Sequence, residues 1–348
     1  MPKAREESKY GYGHDDGLEA LRPLDVGAIT TVDELVRRMA DTAFGGRRLG
    51  EAADVLEAMV RDPECFRVVT VSGAMTIAKQ GLLLCEMIDR GWVQALVTTG
   101  ALMTHGFVEG AGLLHFKHRP EMRDENLYER GYNRVYDTIE LEKNLDEAER
   151  TLSRALDDLA DDAVLSSRLI FHKLGEHLAK HAPERAILKS AFEKEIPVYV
   201  PAFTDSELGL DLAIYNRTRA RAKGRAVRFD PYLDLDDFAS RIREQETLGI
   251  FTIGGGVPRN WAQQVGPYLE ILRSRLGIDE PVRRYKYAVR ICPEPEHWGG
   301  LSGCSYSEGV SWGKFVPPSE GGRFAEVFAD ATIAWPLLLR AVMERIDS

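Results

Sequence analysis

The feature that most constrains this chain is a repeated unit, a short β-rich run that breaks into Gly, Pro, Asp or Asn and is followed by helical periodicity. FRVVTVSGAM (Phe66–Met75), VQALVTTGALMTHG, IPVYVPAFTDSELG, LGIFTIGGGVPRNW and YKYAVRICPEP all have this form. The first run predicts a buried strand entering a turn, and TIAKQGLLLCEMIDRG (Thr76–Gly91) predicts a helix closed by a C-cap glycine. The second predicts a strand that opens into a polar, glycine-containing loop. Strands alternating with helices require crossovers on the faces of a sheet. The expected architecture is therefore α/β, a single large Rossmann-like domain with a mostly parallel sheet covered by helices on both faces. Residues 1–20 read as a flexible N-terminal arm and residues 21–348 as the folded domain.

Composition narrows the partners. With 348 residues and 44% hydrophobic side chains, the chain can bury a large core. A net charge of −10 opposes the phosphates of nucleic acid and suits small cationic molecules. No run approaches the roughly 18 apolar residues of a membrane span, and the N-terminal segment has no apolar signal region, so a cytoplasmic location is expected. Cys65, Cys85, Cys292 and Cys304 are far apart and form no CxxC pair, which predicts reduced, mostly buried thiols rather than a zinc site or disulfide framework.

The stretch Asn144–Ala182 is charged and helical in period. Its histidines, His172, His177 and His181, fall at i, i+5 and i+9, a spacing that does not stack them on one face, so they read as surface residues and not as a metal cluster. His297, between proline and glycine signals, reads as an ordinary loop residue.

Three places carry chemical interest. Gly254, Gly255 and Gly256 follow one predicted strand and precede a helix, where backbone N–H groups can approach a phosphate or ribose, or simply make a tight turn. Asp205 follows another strand, where its carboxylate can accept both ribose hydroxyls or cap a helix. Near the C-terminus, SEGVSWGKF places Lys314 after Trp312 and Gly313. An exposed lysine amine, with a pKa of about 10.4, is a solvated cation. Burial beside an aromatic wall lowers that pKa and yields a nucleophile, with Gly313 leaving space for a substrate. The local sequence leaves both readings open.

The series EGVSWGKF, VFADATIAWPLLL (Val327–Leu338), LVTTGA, NRVYDT, PAFTDSELG and IGGGV resembles the deoxyhypusine synthases over about Phe66–Leu338, and the pocket segments with His105 and Trp298 resemble their bacterial deoxyhypusine synthase-like branch. The resemblance implies an NAD-dependent aminobutyl transferase with no net redox change that works through a lysine imine. It implies Lys314 as nucleophile, with Trp312 and Glu308 lining the amine pocket. NAD would be held by Met75, Thr76, Ile77, Ala78, Lys79, Thr99, Gly100, Ala101, Asp205, Gly255, Asp330 and Ala331, and the assembly would be a homotetramer with these sites at subunit interfaces.

Departures from the family pattern fall on the substrate side. Thr104 and His105 stand where the spermidine-using enzymes have acidic residues, Asn260 replaces a histidine, and Trp298, Gly299, Gly300 and Leu301 begin a segment that is acidic in those enzymes. Losing acceptors for a buried ammonium weakens polyamine binding. The resemblance thus points to homospermidine-like products, or to guanidino-polyamines if agmatine is the donor. In the second case the guanidinium stacks on Trp298, a gain of about 0.5 to 2 kcal/mol. His105 is the candidate proton relay. The alternatives are a protein-modifying enzyme acting on a translation-factor lysine and a non-catalytic NAD-binding regulator.

Overall fold

A computed structural model describes residues 4–157, 159, 163–222 and 224–348. The strands are β1 (Cys65–Val71), β2 (Ala95–Thr98), β3 (Phe116–Lys117), β4 (Tyr132–Val135), β5 (Thr138–Leu141), β6 (Val164–Leu165), β7 (Val198–Tyr199), β8 (Arg228–Phe229), β9 (Thr247–Ile253), β10 (Tyr285–Ile291) and β11 (Arg323–Val327). Six of them form one all-parallel sheet in the order β11-β10-β9-β1-β2-β7. β3, β5 and β4 form a small antiparallel sheet, and β6 pairs with β8.

Both faces of the main sheet are buried, as a parallel sheet requires. Alternate residues of the strands supply the two cores. Val69, Val71, Phe251, Ile253, Val289 and Ile291 face one cluster, which the helices Phe44–Arg61 and Ala331–Asp347 close. Val68, Val97, Leu248, Ile250 and Ala288 face the other, which is packed by Phe238, Ala239, Ile242, Ala262 and Val265 from the helices Tyr232–Arg243, Gly256–Gln263 and Val265–Leu276. The fold expected from strand and helix alternation is the fold observed.

Several local expectations differ. The helix expected from Thr76 begins at Gly81, because residues 75–79 form a turn in which Lys79 has φ +60°. The expected loop after β2 is the helix Gly100–Gly110, with Thr99 as its N-cap accepting from Leu102 N at 3.1 Å. Glycines and polar residues that read as loop here form a buried helix, with Gly100, Gly106 and Gly110 at close crossings: a Cβ on Gly100 would lie 2.3 Å from Ser206. The long helix over 144–182 is two, Glu142–Leu156 and Ser167–His181, separated by β6. His177 and His181 are in fact an i, i+4 pair, and their rings lie 4.5 Å apart. Residues 4–20 are largely exposed, and Arg22 N donates to Asp41 O where the chain reaches the domain. No helix among the described residues is long and apolar enough to cross a membrane. Cys65, Cys85 and Cys292 are buried free thiols, with Cys304 half-buried.

Candidate active site

The order of strand addition reverses at the centre of the sheet. From β1 the sheet grows one way through β2 and β7 and the other way through β9, β10 and β11. Such a switch point opens a crevice beyond the carboxyl ends of the strands. A cavity of about 190 Å³ lies there, lined by Ser72, Thr98, Thr99, Gly100, Ala202, Asp205, Gly256, Val257 and Pro258. Two helix N-termini, at Gly100 and Gly256, open on it and present first-turn backbone N–H groups with positive dipole ends. Gly254 and Gly256 take φ of +78° and +60°, which favour glycine, and Ser72 Oγ donates to Gly255 O, tying the β1 and β9 turns together. A Cβ on Gly255 would lie 2.6 Å from Ser302 Cα, so this glycine serves the packing of the neighbouring loop.

Lys314 lies in a second cavity of about 260 Å³, lined by Asn260, Gln264, Glu296, Gly299, Gly300, Leu301, Cys304, Glu308, Trp312 and Lys314. The SWGK motif has a backbone cause. The short helix Tyr306–Ser311 ends with Gly313 at φ +70°; Gly313 N donates to Val310 O and Lys314 N to Gly309 O, the paired bonds of a Schellman cap. Gly313 is thus required by the left-handed turn, rather than by room for a substrate. Tyr285 N donates to Lys314 O and Val316 N to Tyr285 O, pinning the lysine beside the start of β10.

The Lys314 side chain is buried, at 7% exposure, and its Nζ donates to Asn260 Oδ1 at 3.1 Å. Nζ also sits 5.9 Å from the centre of the Trp312 ring. Burial is the main influence lowering the amine's pKa; nearby Arg259 lowers it further, while Cys304 and Glu308 oppose the shift. The arrangement favours a neutral amine held by an acceptor, the form able to act as a nucleophile.

Two buried arginines, which the sequence reading missed, hold the neighbouring loop by its carbonyls. Arg290 donates to Ser302 O at 2.6 Å, to Cys304 O at 2.8 Å and to Glu326, and Glu326 in turn accepts from Tyr306 N at 2.7 Å. Arg259 donates to Cys304 O at 2.6 Å and lies over the Tyr306 ring. A charged residue inside the apolar run YAVRI was the available signal for Arg290. Gln264, Glu296 and Cys304 were also missed as lining residues.

Of the expected residues, the structure brings Lys314, Trp312, Glu308, Asn260, Gly299, Gly300 and Leu301 around one pocket, and Thr99, Gly100 and Asp205 around the other. The helix Gly256–Gln263 belongs to both, through its first turn and through Asn260. Others lie apart within the chain. Trp298 is 71% exposed and does not line the lysine pocket, whose aromatic wall is Trp312. Thr104 is fully buried, its hydroxyl donating to Gly100 O, and His105 is turned to Glu140 at 3.1 Å. Asp330 caps the last helix by accepting from Thr332 N at 2.7 Å, and Ala331 is buried beside it beyond β11. Met75, Ala78 and Lys79 lie in the turn after β1, where Thr76 and Ile77 are buried and Thr76 Oγ1 donates to Leu102 O; Ala101 is in the first turn of the Gly100 helix.

A Rossmann-like α/β protein with a crevice at its sheet switch point and a buried amine alongside is the class that this fold and site define. The chain belongs to the deoxyhypusine synthase family, a family of aminobutyl transferases: the family's sequence model, described as deoxyhypusine synthase, matches residues 34–342. A Methanosarcina acetivorans protein named Probable deoxyhypusine synthase 2 is 34% identical, with the alignment covering 93% of this chain and 89% of that one. A Deoxyhypusine synthase-like protein of Chlorobaculum parvum is 32% identical, over 87% of this chain and 84% of its own. The crystal structure of a presumptive deoxyhypusine synthase from Entamoeba histolytica has the same fold, with TM-score 0.60 at 13% identity over 93% of this chain and 97% of that one.

Proposed function

We propose that this protein is an NAD-dependent aminoalkyl transferase that moves an aminobutyl group, or a guanidinobutyl group when agmatine is the donor, between small amines through an imine on Lys314. Polyamines or agmatine are the donors, and homospermidine-like or guanidino-polyamine compounds the products. The observation that carries the reading is the buried Lys314 amine, held by Asn260 in a pocket that also presents Glu296, Glu308 and Trp312.

The residues at the switch point fit NAD. Gly256 offers a helix N-terminus whose absent side chain leaves the cavity open, Thr99 and Gly100 offer a second, and Asp205 offers a carboxylate for ribose hydroxyls. When bound there, NAD supplies reversible hydride acceptance, so the transfer has no net redox change. The protein's own groups do the rest. The lone pair of neutral Lys314 Nζ attacks the electrophilic carbon of the oxidised donor; the new N–C bond forms as the bond to the departing amine breaks, and that amine leaves with a proton. Asn260 Oδ1 orients Nζ for this attack. Glu296 and Glu308 pair with the cationic end of the substrate, and Trp312 offers a face to an ammonium or guanidinium. Exposed Val257, Trp298, Leu301 and Trp312 around both cavities support a second copy covering the site, as in a homotetramer.

A second reading is favoured by the names of the curated relatives: the acceptor is then a lysine of a translation factor, with spermidine as donor. Incubating the protein with NAD, then with putrescine, spermidine, agmatine or a candidate acceptor protein, and analysing products by mass spectrometry, separates the two. New polyamine supports the first reading, mass added to the protein acceptor supports the second, and activity surviving in Lys314→Ala overturns both. Binding of NAD without any product would identify a regulator.

A further inference from the structure

A cluster outside both cavities brings together ligands from three separate elements. His105 comes from the Gly100–Gly110 helix, His115 from the segment after it, and Glu140 from β5. His105 Nδ1 lies 3.1 Å and His115 Nε2 2.6 Å from the same carboxylate atom, Glu140 Oε2, and the three atoms all lie within 4.8 Å of one another. The other oxygen, Oε1, is already engaged, accepting from Asn144 Nδ2 at 2.7 Å and from Leu141 N at 2.9 Å. This leaves Oε2 directed at the imidazoles.

Hydrogen bonding does not account for the whole arrangement. The His115 side chain is fully buried, yet its Nε2, though close to Glu140, has no hydrogen bond of acceptable direction. A buried imidazole nitrogen this close to a carboxylate oxygen, yet without a well-directed hydrogen bond, is a group that calls for a partner. We propose that His105, His115 and Glu140 bind a divalent transition metal ion of the zinc class, with water completing the coordination. Two imidazole nitrogens and one carboxylate oxygen are a borderline ligand set that suits such ions and not Mg²⁺ or Ca²⁺, which take oxygen ligands.

The surroundings hold one group of the kind that supports metal ligands, Asn144, and one that must turn away on loading, Lys79. Asn144 orients the carboxylate, and Lys79 Nζ lies 2.7 Å from His115 Nδ1 and 3.2 Å from Glu109. Metal binding at His115 Nε2 moves the ring proton to Nδ1, and Lys79 then keeps Glu109 as its partner. His105 is 8% exposed, which leaves a route for the ion and for a bound water. Donor atoms about 2.0–2.2 Å from a tetrahedral ion stand roughly 3.3 Å apart, so loading moves each imidazole nitrogen from Glu140 Oε2 by less than about an ångström. The ion would clamp the small antiparallel sheet to the helix whose first turn borders the sheet-edge cavity.

The test uses the full-length protein stripped with a chelator, reloaded with Zn²⁺ or Co²⁺ and dialysed. Elemental analysis should find one ion per chain, Co²⁺ should give the visible absorption of a four-coordinate nitrogen and oxygen site, and loading should raise the melting temperature. His115→Ala and Glu140→Gln should weaken affinity at least tenfold, with Asn144→Ala weakening it less, whereas a His177→Ala/His181→Ala variant should bind as the parent does. No stoichiometric ion in the parent, unchanged affinity in His115→Ala, or loss in the His177/His181 variant would each overturn the proposal. Should His115→Ala fail to fold, the Co²⁺ spectrum of the parent and the Asn144→Ala affinity still decide.

Discussion

The two cavities of this protein are built differently. The sheet-edge cavity is made mainly of backbone and small side chains at strand ends, such as Ser72, Thr99, Gly100 and Gly256, on elements that the buried parallel sheet fixes. The lysine pocket is made of long polar side chains on one helix, one Schellman turn and a loop that two buried arginines hold by its carbonyls. The first can bind a ligand through dipoles that exist as soon as the sheet forms. The second needs several distant side chains in place before Lys314 is both buried and oriented. Under the proposed function, cofactor binding and chemistry should therefore be separable, each breakable alone.

The largest expected effect is on the chemistry side. Lys314→Ala should lower turnover by about a thousandfold or more while NAD affinity stays near that of the parent, as measured by product formation and by titration of the cofactor. Equal loss of both would show that the cavities are one unit. Next comes Arg290→Met, which leaves Glu326 and two carbonyls of the Ser302–Cys304 segment without their buried partner. It should cost about 3 to 5 kcal/mol in denaturant unfolding. A cost below 1 kcal/mol would mean that the loop is held by other contacts.

On the other side of the comparison, Asp205→Asn should weaken NAD binding about tenfold, roughly 1.4 kcal/mol, with little change in amine KM. The smallest effect is a pH shift. The neutral amine is the reactive form, so rate rises with pH through the Lys314 titration. The Glu308 carboxylate favours the charged amine, and Glu308→Gln removes that influence. The rising limb of kcat should move to lower pH in this variant; movement to higher pH would contradict the placement of Glu308 beside the amine.

Much of the fold was legible because strand and helix periodicities are local properties of the chain. IFTIGGGV reads correctly as strand, turn and helix start, since an apolar run and three glycines allow little else. The Gly100–Gly110 helix was misread as loop because its glycines serve close packing against Ser206, Thr76 and Ala186, contacts that no local pattern displays. Lys314 was legible only as a possibility from Trp312 and Gly313. The ordered series of motifs made it a candidate nucleophile.

By itself the sequence determined the parallel α/β sheet, the glycine turn at the end of β9 and the family to which the chain belongs. Only the tertiary structure decided that Asn260 holds the amine, that Trp312 and not Trp298 faces it, that Arg259 and Arg290 carry the loop, and that His105 meets His115 and Glu140. The physical reason is sequence separation. Hydrogen bonds along a helix or turn join residues a few positions apart. Side-chain contacts across 35 or 54 residues exist only once the sheet has brought its crossovers together.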